Sequence, residues 1–140
     1  MFNMTQEEKD LLLKDLCSRL PYGVGIILDG QTTYYRVIDI DFDKEVVVVK
    51  PKDRKLIGIG CLGFEDFKLI LRPMSSITEE EKTEYFLLKH KDNDRDDNII
   101  LTDEASAIID WLNAHHLDYR GLIEKGLAIK APENMYKITI

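Results

Sequence analysis

Polar and apolar residues change period twice along this chain, and the changes mark its elements. Between residues 6 and 20, Leu12, Leu13, Leu16, Cys17 and Leu20 recur every three to four positions, which predicts a helix with one apolar stripe. Thr5 and Glu8 stand at capping-box spacing before it, and Arg19 lies near its end, so local hydrogen bonding and the helix dipole agree with the pattern. Pro21 closes it, because a proline pushes the preceding residue out of helical geometry. From Val24 to Met74 the period drops to two. "VGIIL" is closed by Asp29-Gly30, a hairpin turn signal. "TTYYRVIDIDF" alternates imperfectly, and "EVVVV" after it reads as a strand buried on both faces or covered by a helix. Beyond the loop "KPKDRK", the stretches "LIGIG" and "FKLILRP" supply two more short strands, with Pro73 at a strand end where its missing amide is harmless.

After Met74 the helical period returns. Thr78 and Glu81 repeat the capping-box spacing at the head of "TEEEKTEYFLLKH". "TDEASAIIDWLNAHH" predicts a third helix, capped by Thr102 and Asp103, with Ala105, Ile108, Ile109, Trp111 and Leu112 on one side. Trp111, the one tryptophan, is expected to bury its indole against the sheet or the first helix. Asp118 then caps a short helix, "YRGLIEKG", which Gly126 closes in left-handed geometry and Leu122, Ile123 and Leu127 fasten to the core.

The fold class that follows is α+β: an N-terminal helix, a small antiparallel bent sheet of four to five strands or an SH3-like partial barrel, then about three C-terminal helices. At 140 residues the expectation is a single domain, with 1–74 as helix plus sheet and 75–140 as a helical part packed on it.

Charge narrows the range of partners. The net charge is −7, with 11 basic against 12 acidic residues in 1–74 and 8 against 14 in 75–140. That balance argues against a general nucleic-acid binder, which needs a basic face. No apolar run approaches the ~20 residues of a membrane span, and "MFNMTQEEKD" has neither the basic start nor the apolar stretch of a signal peptide. A cytoplasmic protein without membrane association is the expectation, with Cys17 and Cys61 as reduced, buried thiols.

Candidate chemistry is sparse. Asp92, Asp94, Asp96, Asn98 and Asp103 fall at positions one, three, five, seven and twelve of an EF-hand-like calcium loop. The sixth position is Asp97 where the turn favours glycine, and the twelfth is aspartate where a bidentate glutamate belongs. A solvated acidic loop is the simpler reading, so no metal is assigned. We therefore expect no calcium-selective stabilisation. A site with a dissociation constant near 10 μM would add about 2.7 kcal/mol at 1 mM calcium; a melt shifted several degrees by calcium but not magnesium would reverse this reading.

His115 and His116, inside "HHLDYR", are about 100° apart on a helix and cannot readily share a metal, so they read as a helix end rather than a site. "GIGCLG", with Gly58, Gly60 and Gly63 at G-x-G-x-x-G spacing, leads toward a strand rather than a helix, which fails the dinucleotide pattern. Lys50, Lys52, Arg54 and Lys55 crowd one loop. They form a modest basic patch for nucleic acid, for which a solvated turn is the plainer account. No nucleophile elbow, P-loop or Cys–His pair in recognisable context stands out.

"LRPMSSITEEE" (71–81) followed by "DWLNAHHLDYRGLIEKGLAIKAP" (110–132) resembles small uncharacterised proteins of bacterial phages and mobile elements, particularly from gut bacteria. The likeness covers about half the chain and carries no catalytic residues or cofactor. It implies an intracellular accessory protein that acts by binding. The leading expectation is therefore a non-enzymatic protein-interaction module with an unknown protein partner, self-association being compatible with it. An acidic DNA-mimic inhibitor of a nucleic-acid enzyme and a nucleic-acid-binding small barrel are the alternatives.

Overall fold

The structure, a computed structural model, describes residues 4–28, 31, 33–52, 58, 60–89, 102–132 and 135–136, leaving out the side chains of 102–104. Helix α1 (Gln6–Arg19) begins as its sequence predicts: the Thr5 hydroxyl accepts the Glu8 amide and the Glu8 carboxylate accepts the Thr5 amide. Its buried face differs from the expected stripe. Leu12, Asp15, Leu16 and Arg19 turn inward, whereas Cys17 is exposed. Asp15 and Arg19 pair four residues apart, so each neutralises the other out of water and both occupy positions an all-apolar stripe would fill. Cys61 is exposed as well, so neither thiol is buried.

Strands β1 (Gly25–Leu28), β2 (Tyr34–Asp41), β3 (Val46–Pro51), β4 (Gly60–Gly63) and β5 (Phe67–Leu71) pair antiparallel. A sixth strand, β6 (Ala128–Lys130), adds to β5 in parallel, and the order across the sheet is β4-β3-β2-β1-β5-β6. The sheet thus has six strands rather than four or five. β6 escapes sequence reading because three residues cannot display a period. A register shift between Val37 and Asp39 places Ile38 at a bulge and accounts for the broken alternation of β2. "GIGCLG" runs into β4, and β5 follows, with no helix between.

One face of this sheet is the core. Ile26, Val37, Ile40, Val47, Val49, Phe67, Leu69 and Leu71 are buried there with Leu12 and Leu16 of α1. The register puts Gly25, Ile27, Tyr34, Arg36, Lys50, Lys68 and Ile70 on the opposite face.

Helix α2 (Glu79–Lys89) opens with the second capping box, the Thr78 amide donating to Glu81 and the Glu81 amide to the Thr78 hydroxyl. Helix α3 (Thr102–Ala114) ends on a non-glycine residue in left-handed geometry, His116 at φ 58. There the His116 amide donates to Asn113 and the Leu117 amide to Leu112, which is the Schellman pattern with its buried Leu112–Leu117 hydrophobic pair. The same pattern recurs at Gly126, φ 74, where Gly126 donates to Ile123 and Leu127 to Leu122. Between them the chain makes successive turns instead of the expected short helix. Asp118 still caps: its two carboxylate oxygens accept the Leu122 and Ile123 amides at 2.8 and 3.0 Å. Leu122 and Leu127 are buried in the core.

Trp111 is half-buried, and against α2 rather than against the sheet or α1. Its ring lies 5.6 Å from that of Tyr85 and its Nε1 donates to Glu84. Two half-exposed helices sharing one aromatic contact take the place of a tryptophan driven into the core.

Candidate functional site

The polar cluster "HHLDYR" serves a corner that joins the C-terminal region to α1. Arg19, with no exposed surface, donates through Nε to Asp15 at 2.7 Å and through Nη2 to the Leu117 carbonyl at 2.7 Å. Arg120 reaches the other Asp15 oxygen at 3.1 Å. Both guanidinium groups lie over the Tyr119 ring, at 5.2 and 4.8 Å from its centroid, and the Tyr119 hydroxyl donates to Asn113. Cation–π contact and paired charge make this an internal strut. Only Arg19 Nη1 within it is buried without a partner.

His115 and His116 lie past the last residue of α3, and with His116 in left-handed geometry the two rings diverge. The His115 ring stacks on Trp111 at 4.0 Å, its Nδ1 lies 2.8 Å from the Trp111 carbonyl, and its Nε2 stands 3.8 Å from carboxylates of Glu81 and Glu84. His116 turns the other way and stacks on Tyr136 at 3.8 Å. Burial, then the charges of Arg19, Lys52, Arg72 and His115, push its pKa down to about 4. Tyr136 in turn bridges two strands: its hydroxyl accepts the Gly25 amide and donates to the Ile70 carbonyl. Burial raises that phenol to about 12. A Cβ at Gly25 would lie 2.7 Å from the Met135 methyl and 3.0 Å from the Tyr136 oxygen, so a larger residue would displace those side chains from the strand.

Between the start of α2, the end of α3 and the chain leaving β6 lies a groove of about 620 Å³, within the range of ligand sites. Pro73, Ala114, Ala131, Pro132 and Met135 supply apolar lining. Its central polar group is Arg72, whose five N–H donors all have acceptors: Glu81 twice, Ser76 twice and the His115 carbonyl. The hydrogen bonds from Arg72 hold the Glu81 carboxyl down at about 2, and Glu81 correspondingly raises Arg72. One carboxylate therefore caps α2 and anchors it to the end of β5.

The structure treats the sequence candidates unequally. Lys50 and Lys52 stand on the open sheet face beside Arg36, while Arg54 and Lys55 lie outside the described residues. Asp92, Asp94, Asp96 and Asn98 also lie outside them; the backbone of Asp103 is in the first turn of α3. Among the described residues no three His, Cys, Asp or Glu side chains are grouped to hold a metal. No described helix is long and apolar enough to cross a membrane. The acidic surplus of 75–140 is partly internal, since Glu81 and Asp118 accept hydrogen bonds from the chain itself.

Sequence reasoning missed Arg72, Tyr136 and the Asp15–Arg19 pair. The last had a signal, acid and base four residues apart inside the apolar stripe. Arg72 and Tyr136 act through partners nine and sixty-six residues away, which no local pattern reveals. No protein-family model matches the chain, and no curated protein or solved structure matches it.

Proposed function

We propose that the protein is a non-enzymatic protein-interaction module that receives an extended segment of a partner in the groove beside β6. On the sequence resemblance, its setting is a phage or mobile element. The supporting observation is the groove's division of labour: its apolar side chains face open space, while its guanidinium has all five donors engaged within the chain. Glu80 and Lys130 also line it, but the apolar residues and the engaged guanidinium offer contact area and shape to an extended segment. Among the described strands β6 stands at the sheet edge, where a partner strand can add its backbone hydrogen bonds and seat alternate side chains. In this reading the small curved sheet, SH3-like in size, serves as the platform.

Ala114→Arg tests the reading by filling the groove from the end of α3. Proteins captured from a bacterial lysate by the tagged wild type should be lost with the variant, at an unchanged melting temperature. A captured set identical for the two proteins would count against the groove. A self-association abolished by the same change would identify the partner as a second copy.

A further inference from the structure

The open face of the sheet carries charge opposite to that of the chain. Arg36 of β2 is the cross-strand partner of Lys50 of β3 and of Gly25 of β1. One row further, the Lys52 amide donates to the Tyr34 carbonyl, and Tyr34 pairs with Ile27, which pairs with Lys68. Side chains two apart on a strand are separated by about 7 Å and neighbouring strands by about 4.8 Å, so the cations form a close array. Gly25, beside Arg36, is covered by Met135 and Tyr136, so the array is bounded on that side by the Tyr136 ring. Gly23, at φ 73, leaves room for the Arg36 stem, which passes 3.2 Å from where a Cβ would stand.

Among the described residues, Arg36, Lys50 and Lys52 form no ion pair. All three are exposed, in a protein of net charge −7. Partial burial of the side chain, and then the nearby Arg36 charge, lower the Lys52 pKa. The Lys52 ammonium lies 5.2 Å over the Tyr136 ring, and Tyr34 is half-buried in the same row. Asp39 and Asp41, further along β2, bound the array on that side.

We infer that the sheet face bearing Tyr34, Arg36, Lys50 and Lys52 docks single-stranded nucleic acid, independently of the groove. An uncompensated cation cluster on an acidic chain fits a polyanion by charge complementarity. The half-exposed phenol among the cations favours a polyanion with flat bases, which stack on aromatic faces without requiring a particular sequence. The surrounding negative charge disfavours a duplex, whose phosphates would extend well beyond three cations.

The test uses the full chain and a fluorescein-labelled 12-nucleotide single-stranded DNA of mixed pyrimidines, read by fluorescence anisotropy. Binding should appear at 50 mM salt and weaken with a log–log salt slope near −2, the value expected for about three phosphate contacts on a single strand. Arg36→Glu with Lys50→Glu should abolish it, and Tyr34→Ala should weaken it at least fivefold. Lys14→Glu, a single charge reversal of the same kind on exposed α1 across the sheet, should weaken it less than twofold. Circular dichroism melts confirm that each variant is folded, and Lys52→Glu replaces the double variant if that one unfolds. No anisotropy change at 50 mM salt with 100 μM protein would overturn the inference. Equal binding of a polyglutamate peptide, insensitive to Tyr34→Ala, would also overturn it and assign the face to an acidic protein segment.

Discussion

Replacing Asp15 with alanine is expected to destabilise the protein by about 3–5 kcal/mol, the usual consequence of removing one partner from a buried ion pair. Arg19 has no exposed surface, and Asp15 accepts from both Arg19 and Arg120. Without the carboxylate, one guanidinium is left as an uncompensated buried charge holding only the Leu117 carbonyl. That loss is a large share of the ~5–15 kcal/mol by which domains are stable, and corresponds to roughly 10–20 °C in melting temperature. The double change Asp15→Leu with Arg19→Met removes both charges and should recover much of the loss, because desolvation offsets most of the attraction within such a pair. Recovery stays incomplete, since Arg19 also ties the corner through Leu117 and lies over Tyr119. Urea midpoints of the three proteins measure this. A single-variant loss below about 1 kcal/mol, the scale of an exposed pair, would show that the strut is not holding α1 to the corner.

That strut shows how far the sequence could be read. Features that depend on neighbours within five residues were legible: both capping boxes, the helix starts, the Asp118 cap and the left-handed Gly126. Each is a local hydrogen-bond problem with few solutions. The inward face of α1 is not legible from apolarity alone, because a neutralised Asp15–Arg19 pair occupies positions that an apolar stripe would fill. β6 is too short to display a period, and the area of an indole points Trp111 to the core, whereas here α2 supplies the surface. The candidate site was less legible than the fold. Lys50 and Lys52 were visible as a charged loop, but their alignment with Arg36 and Tyr34 exists only once the register is known. The groove likewise needs Arg72, the end of α3 and the residues after β6 to meet, which only the parallel β5–β6 pairing arranges.

His116 should make the protein acid-labile over a defined window. Its ring lies against Tyr136 with Nδ1 buried and unpartnered, and its pKa is down at about 4, first through burial and then through the cations around it. An unfolded histidine titrates near 6.5. Above pH 6.5 the ring is neutral in both states and the shift has no effect. As the pH falls from 6.5 to 4 the unfolded chain takes up a proton that the folded chain refuses, so stability declines; below 4 both are protonated and the loss is complete at about 3 kcal/mol. Glu81 acts lower down. Its carboxyl is held at about 2 by Arg72, so its contribution is full above pH 4.5 and fades between 4.5 and 2. His116→Asn separates the two, because asparagine tolerates the left-handed position but does not titrate. Urea unfolding from pH 8 to 4 should show wild type losing about 3 kcal/mol relative to the variant, with most of the divergence between pH 6 and 4.5. Below that the two curves should keep a constant separation as Glu81 protonates in both. Parallel curves across the whole range would mean that the buried imidazole accepts its proton without disturbing the Tyr136 contact, and the proposed acid sensitivity would then be wrong.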